Sequence, residues 1–273
     1  MAATESRMAG TLFDLRGRVA VVTGGRTGLG GDIADALAES GSDVIVTSRS
    51  RDAAHEAAAR LAECFGTDAM GLRLDVRSHD DIVAASHAAV AWKGRIDILV
   101  NNAGGGSGAS TGDIFERSLD DIRDLLNTNL LGTLLCCREF ARPMVRANRG
   151  KIINLASIAA IVGRDRSIYG RYGVNEQPVD YAAAKAGVIG LTYDLAAKLA
   201  PFNVQVNAIS PGGFDKGHLP EGFVRDYSAR TALGRMGAMS RDIKGACQFL
   251  ASDASDYITG HDLVVDGGFT RWK

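Results

Sequence analysis

The chain of 273 residues predicts an α/β domain built on a doubly wound parallel sheet of about seven strands, and three observations lead there. Short β-branched runs alternate with alanine-rich stretches of helical periodicity along nearly the whole length. The runs are apolar almost without interruption, as strands buried on both faces of a parallel sheet have to be. A glycine cluster separates the first run from the first helical stretch, at the point where such a domain brings backbone close to a bound group.

Taken in order, Arg18-Val19-Ala20-Val21-Val22-Thr23 is the first strand, and a helix over 29–39 follows, stopped by Gly41. Asp43-Val44-Ile45-Val46-Thr47 is the second strand, 52–65 the second helix, and Gly71-Leu72-Arg73-Leu74-Asp75-Val76 the third strand. A helix over 80–92 leads to the fourth strand at 96–100, and a helix over 119–138 to the fifth at 151–155. The helix over 181–199, the strand 204–209, a helix over 241–251 and the strand 263–265 complete the alternation. No linker or repeat divides the pattern, so residues 1–14 read as a tail and 15–273 as one domain. Two stretches interrupt the rhythm, 159–180 and 211–239. Both are long for connections in a compact domain, and long ordered loops are often binding loops or lids.

Composition narrows the function. Hydrophobic residues make up 46% and charged residues 23%, and 31 basic against 32 acidic side chains leave a formal charge of −1. Such a balance offers no overall positive field for nucleic acid or an anionic membrane surface. No apolar run reaches the roughly 18 residues of a membrane span, and MAATESRMAG lacks the apolar stretch of a secretory signal. Cys64, Cys136, Cys137 and Cys247 have no metal-ligand spacing and read as thiols of a reducing, cytoplasmic compartment.

The glycine cluster is Thr23-Gly24-Gly25-Arg26-Thr27-Gly28-Leu29-Gly30. A strand, a glycine turn and a helix N-terminus in succession offer free N–H groups and a partial positive charge to a pyrophosphate. Gly24, Arg26, Thr27, Gly28, Leu29 and Gly30 are therefore the candidate dinucleotide cradle. The second strand ends in Val46-Thr47-Ser48-Arg49-Ser50-Arg51, without the carboxylate that would bond a ribose 2′-OH. A guanidinium pairs well with a phosphate, so Ser48 and Arg49, joined by Arg26, predict NADP(H) in preference to NAD(H). The alternative is that Arg49 and Arg51 are solvated surface charges.

Tyr181 and Lys185 lie four apart and share one face of a helix. A phenol with an ordinary pKa of about 10 is a poor proton carrier near neutrality, and an adjacent ammonium favours the phenolate. Bringing the phenol to about 7 requires about 4 kcal/mol of differential stabilisation, to be supplied by Lys185 together with the positive nicotinamide of an oxidised cofactor in a dry pocket. Neither Tyr169 nor Tyr172 has a lysine at the fourth position; Gly173 and Glu176 stand there.

Together these motifs make the chain resemble the classical short-chain dehydrogenase/reductase family. The matching residues are Thr23-Gly24 with Gly28 and Gly30, Asn101-Asn102-Ala103-Gly104, Tyr181 with Lys185, Pro211-Gly212, and Leu263-Val264-Val265-Asp266-Gly267-Gly268. They span about 15–268, each on the expected element. The resemblance implies a Rossmann-type fold and reversible alcohol–carbonyl oxidoreduction. It implies that Ser157, beyond the fifth strand, orients the substrate oxygen, that Tyr181 transfers the proton, and that Lys185 tunes Tyr181 and binds the nicotinamide ribose. Asn129 matches the asparagine of the proton relay; Asn127 competes for that role, and the following Leu130-Leu131-Gly132 favours Asn129. Asp75 and Val76 would contact the adenine, although Asp75 also reads as a strand-end cap. Asn101, Asn102, Ala103 and Gly104 would line the cofactor channel, with Pro211 and Gly212 beyond the sixth strand. The family also implies a homotetramer, or a homodimer, through the helices at 119–138 and 181–199.

The chain departs from the family twice. Some 23 residues separate Ser157 from Tyr181, and the extra segment 163–179 carries Arg164, Arg166, Tyr169, Arg171 and Tyr172. It reads either as a contact to a large polar or anionic substrate or as a subunit-contact loop, and lengthened loops here suggest a sugar- or polyol-like substrate. At 211–216, Lys216 stands where relatives use Thr. Gly212 and Gly213 read as a hinge, and 216–239 as a lid. A small-molecule alcohol or carbonyl is the expected partner, and no metal is expected. The alternatives are an epimerase or dehydratase of the same family, separated by net cofactor turnover, and a non-catalytic dinucleotide sensor.

Overall fold

The computed structural model describes residues 9–106 and 111–271. Seven strands form one sheet: β1 (Val19–Val22), β2 (Asp43–Ser48), β3 (Ala69–Arg73), β4 (Ile98–Asn101), β5 (Gly150–Leu155), β6 (Val204–Pro211) and a last strand (Asp262–Val265). The spatial order is β3-β2-β1-β4-β5-β6 and then the last strand, and every neighbouring pair is parallel.

Alternation along each strand divides the core in two. Ala20, Val22, Ile98 and Val100 face the layer of α1 (Gly28–Glu39), α2 (Arg51–Phe65) and a C-terminal helix (Lys244–Ala251). Val19, Val21 and Leu99 face α3 (His79–Lys93), the helix Gly132–Ala147 and α7 (Val179–Leu199). Both faces of the sheet are thus covered, which is why the strands read as continuous apolar runs.

The chain leaves β1 toward one side and β4 toward the other, so the C-terminal ends of these neighbours form the switch-point crevice where such folds bind ligands. The crevice is braced from within. Thr23 Oγ1 accepts the backbone N–H groups of Asn102 and Ala103 at 3.0 Å, and Asn102 Nδ2 donates to the Thr23 and Gly24 carbonyls at 3.0 and 3.1 Å. A Cβ at Gly30 would stand 2.3 Å from that amide nitrogen, so the close approach requires glycine.

Several elements differ from the sequence reading. β3 ends at Arg73 rather than at Val76, because Asp75 turns the chain by accepting the Arg77 N–H at 3.0 Å. The expected helix over 119–138 is α4 (Leu119–Leu126), a π turn (Asn127–Leu131) and α5 (Gly132–Ala147) in unbroken succession. It continues through Pro143, whose missing N–H would orphan the Glu139 carbonyl; the Ser86 hydroxyl donates to that carbonyl instead at 3.2 Å. The final helix starts three residues later than expected, at Lys244.

The two long connections are not plain loops. Segment 163–179 contains α6 (Ser167–Arg171), and segment 211–239 contains β7 (Phe214–Asp215), α8 (Glu221–Ser228) and β8 (Gly237–Ala238), after which α9 (Lys244–Ala251) and β9 (Asp262–Val265) close the chain. The segments pack on each other. Ile168, Tyr169 and Tyr172 of one meet Phe223, Tyr227 and Met236 of the other, with Tyr169 edge-on to Phe223 at 5.2 Å. Tyr172 donates to Asp226 at 2.9 Å and lies against Gly222, where a Cβ would stand 2.3 Å from the ring. Arg230 reaches back to Asp165 at 2.6 Å. Gly213, expected as a hinge, is pinned: its N–H donates to the Tyr227 hydroxyl at 2.7 Å, and the Tyr227 ring stacks on Phe269 at 4.9 Å.

Removing the Phe223 ring should therefore loosen both segments together. Phe223→Ala is expected to cost about 3 kcal/mol locally and to open the arginines of 163–179 to brief trypsin digestion while the sheet stays protected. Unchanged cleavage would show that the segments hold independently.

Candidate active site

The residues singled out in the sequence gather at the C-terminal edge of the sheet. Ser157 follows β5, is buried, and accepts the Ala159 N–H at 3.1 Å. The Ser157 side chain draws the Tyr181 phenol toward its ionised form. Tyr181 and Lys185 project from the first turns of α7 and are both buried, with the Lys185 Nζ 5.7 Å from the centre of the Tyr181 ring. Lys185 donates to the Leu155 carbonyl at 2.7 Å.

Asn129, and not Asn127, enters this group. Asn129 is fully buried while Asn127 is exposed. Its amide closes on Gly105 in both directions, accepting from the Gly105 N–H at 2.9 Å and donating to the Gly105 carbonyl at 3.1 Å. The π turn at 127–131 sets this angle, and π turns inside helices recur at functional sites. Gly104 is the joint between the two halves of the site. A Cβ there would lie 2.5 Å from Asn129 Oδ1 and 3.6 Å from Lys185 Nζ.

The dinucleotide side is laid out along the same edge. Ser50, Ser78 and Ser118 cap α2, α3 and α4 with their hydroxyls, but Thr27 makes no such bond to α1. The α1 N-terminus, with exposed Arg26, Thr27 and Gly28, half-buried Leu29 and buried Gly30, is the one of these four left open to an outside acceptor. These residues fit a pyrophosphate. Ser48 is half-buried and Arg49 exposed at the end of β2. Asp75 pairs with Arg77 at 2.8 Å, and Val76 is buried beside Gly132. Ala103 lies against Gly24. Pro211 ends β6, and the Gly212 N–H bonds the Val265 carbonyl at 2.9 Å. Asn101 stands apart from the channel expected of it, since its amide is used inside the sheet, donating to Asn154 Oδ1 at 2.8 Å and to Cys137 Sγ. Lys216 is exposed.

Electrostatics departs from the simple picture of a lysine acidifying a tyrosine. Burial raises the Tyr181 phenol above its ordinary value, against the opposing pull of the Ser157 hydrogen bond, the Arg164 charge and Gln177. Burial also pushes Lys185 down to about 8. In the cofactor-free chain the lysine therefore loses its proton before the phenol does, and Arg164 is the cation whose charge draws the phenol toward phenolate. A bound nicotinamide dinucleotide supplies the hydride and, when oxidised, a positive charge.

Three participants escaped the sequence reading. Arg117 and Asp180 form a buried ion pair at 2.6 Å that ties the start of α4 to the residue before Tyr181, and nothing in the local pattern marks Arg117. Gln177 flanks Tyr181, both lying within 3.3 Å of the point a Cβ on Gly106 would occupy. Its signal was only its position four residues before the tyrosine.

Residues 24–270 match the sequence profile described as enoyl-(acyl carrier protein) reductase. The chain belongs to the short-chain dehydrogenase/reductase family. It is 36% identical over 258 residues to the 3-oxoacyl-(acyl-carrier-protein) reductase FabG of Aquifex aeolicus, covering 93% of this chain and 98% of that one. It is 38% identical over 262 residues to the D-threitol dehydrogenase of Mycolicibacterium smegmatis, covering 94% and 95%. Among solved structures, the gluconate 5-dehydrogenase of Burkholderia cenocepacia in complex with NADP and tartrate superposes with a TM-score of 0.86 at 33% identity, covering 96% of this chain and 99% of that one.

The buried ammonium has a consequence for stability. An unfolded lysine titrates near 10.5 and Lys185 near 8, so between these values the unfolded chain holds more protons and rising pH favours the fold. At pH 7 the full cost of burying the charge is present. Lys185→Met is expected to stabilise the cofactor-free protein at pH 7 by on the order of 2 kcal/mol in denaturant unfolding. The gain should shrink as pH rises from 8 toward 10.5. A pH-independent difference, or a loss at pH 7, would contradict this.

Proposed function

We propose that the chain is a dinucleotide-dependent oxidoreductase that interconverts an alcohol and a carbonyl, with Tyr181 as proton donor and acceptor and NADP(H) preferred over NAD(H). The observation that carries the reading is the assembly of Ser157, Tyr181, Lys185 and Asn129, from three separate parts of the chain, at the switch-point edge beside an uncapped helix N-terminus.

Each residue has a physical task. Ser157 holds the substrate oxygen beside the Tyr181 hydroxyl, so that donor and acceptor meet within hydrogen-bonding reach. The neutral phenol, favoured by burial, is the form that gives a proton to the oxygen of a carbonyl being reduced. In the opposite direction the phenolate takes the proton, and positive charge near the ring favours it. Lys185 is free to exchange its bond with the Leu155 carbonyl for the nicotinamide ribose, a short movement for a flexible side chain. Asn129 fixes the turn at Gly104 and Gly105 that separates the ribose from the reacting group.

NADP(H) is supported by Arg26 and Arg49, exposed guanidinium groups flanking the end of β2 with no carboxylate on Ser48, and by the NADP bound in the gluconate dehydrogenase relative. A sugar- or polyol-like substrate is supported by the threitol and gluconate relatives. No helix among the described residues is long and apolar enough to cross a membrane. Free thiols at Cys64, Cys136, Cys137 and Cys247 support a reducing, cytoplasmic setting. Exposed Leu119, Leu131 and Leu134, on the stretch from α4 to α5, support assembly into a homotetramer.

Two measurements test this. Tyr181→Phe should lower turnover on any alcohol or ketone the wild type accepts by roughly a thousandfold and leave dinucleotide affinity within about twofold; near-normal turnover would reject the mechanism. Arg49→Gln should weaken NADPH binding by about tenfold with little effect on NADH, and equal losses for both would reject the preference.

A further inference from the structure

Segments 163–179 and 211–239 together carry six arginines, and five of them have a carboxylate partner. Arg166 pairs with Glu176 at 2.7 Å, Arg171 with Asp226 at 2.9 Å, Arg225 with Asp226 at 3.4 Å, Arg230 with Asp165 at 2.6 Å, and Arg235 with Asp242. Arg164 is the exception among the described residues. Its guanidinium donates from Nη1 to Gln177 Oε1 and from Nη2 to the Gln177 carbonyl, both at 2.9 Å, and both acceptors are neutral. It is also half-buried, and its charge acts on Tyr169, Tyr181 and Tyr227.

The charge of one guanidinium is thus felt by tyrosines on three helices, and one of them is the proposed proton carrier. Gln177 holds the group from one side, and its side chain forms the wall of the cleft next to Tyr181 and Gly106. Arginine stays protonated at any physiological pH, so the charge cannot be relieved by titration. Glu176 acts on Arg164 through its charge but gives its carboxylate to Arg166, so the Arg164 donors end on neutral acceptors, and an anion reaching them gains charge-assisted hydrogen bonds. The other five guanidiniums are satisfied by the fold. This one is left for something that enters the cleft.

We propose that Arg164, positioned by Gln177, determines substrate class by binding an anionic group, carboxylate or phosphate, on the substrate beyond the carbon that reacts at Tyr181. The inference rests on the oxidoreductase reading above and narrows its substrate to acidic alcohols or ketones. Length suits the assignment, since the segment that carries Arg164 is the one that lengthens the connection between Ser157 and Tyr181. Its clamp onto α8 through Tyr172, Asp226 and Phe223 fixes the guanidinium in place before any substrate arrives, so little ordering cost attends recognition.

The test compares three six-carbon probes, D-gluconate, D-sorbitol 6-phosphate and neutral D-sorbitol, by calorimetric titration into protein loaded with whichever dinucleotide binds more tightly. At least one anionic probe should bind the wild type about tenfold or more tighter than sorbitol, and which one does distinguishes carboxylate from phosphate. Arg164→Gln should abolish that difference while changing sorbitol affinity less than about twofold, and Arg164→Lys should restore part of it. A role confined to bracing Gln177 would move all three probes alike. Unchanged dinucleotide affinity in both variants reports that the fold and the cofactor side are intact. Equal binding of the three probes to the wild type, or an anion preference that survives Arg164→Gln, overturns the proposal and leaves the oxidoreductase reading standing. Failure of the wild type to bind either dinucleotide overturns that reading and this proposal with it.

Discussion

A buried ammonium is the constraint around which the site is arranged. Lys185 is almost wholly removed from solvent, one helical turn beyond an equally buried tyrosine, and its bond is to the carbonyl at the end of β5. Burying a charge on a single neutral acceptor is costly, and a fold tolerates it only where the rest of the structure holds the group in place. Here that work is distributed. The Arg117–Asp180 pair fixes the N-terminal end of α7. Buried Thr192, two turns past Lys185, accepts from the Asn154 amide at 3.0 Å and ties α7 to β5. The π turn brings Asn129 against Gly104 and Gly105 from the opposite side. The helix is thereby located at two heights along its length, and the Tyr181–Lys185 face cannot drift from the sheet edge.

The topology separates the proposed dinucleotide region of this edge from the proposed substrate region. The open α1 N-terminus and the ends of β1 and β2 lie on one side of the switch point, and Ser157 and α7 on the other. Asn102 and Gly104 form the seam between them. The departures from the family lie beyond that seam, over the substrate side alone. They unite into one cap whose apolar interior of Ile168, Phe223, Tyr227 and Met236 is separate from the two main cores. Substrate recognition can therefore vary there without disturbing the chemistry below, which is how one scaffold serves many reactions.

The sheet was readable because strand burial leaves a direct imprint on composition: Val19–Val22 is apolar throughout, and Val44–Val46 and Ile98–Val100 are unbroken apolar runs within their strands. The pairing of Tyr181 and Lys185 was readable because a spacing of four on a helix is a local relation. What escaped depends on distant partners. Pro143 looks like a helix stop until Ser86, far away in sequence, is seen to satisfy the carbonyl it orphans. Leu74 and Val76 look like strand because they are buried, yet Asp75 has already turned the chain. The glycines at 212 and 213 look like a hinge because flexibility is the usual meaning of such a pair, whereas Tyr227 uses Gly213 as a docking point. Arg164 is one of several arginines in its segment, and only the placement of the four acidic residues that pair with the other five shows that it is the one left over. Spacing reveals that Lys185 is near Tyr181, but not the burial that, in the cofactor-free chain, raises the phenol and lowers the ammonium.

These elements converge on one claim, that Tyr181, Ser157 and Lys185 form a proton-handling unit whose lysine passes from a backbone carbonyl to the cofactor when the site is filled. A crystal structure of the protein with NADP bound tests it directly. The account predicts Lys185 Nζ withdrawn from the Leu155 carbonyl and hydrogen-bonded to the nicotinamide ribose, with the Tyr181 hydroxyl within roughly 3 Å of Ser157 Oγ and facing the reactive carbon of the nicotinamide. A nicotinamide placed away from Tyr181, or a lysine still bound to Leu155 beneath it, would contradict the account.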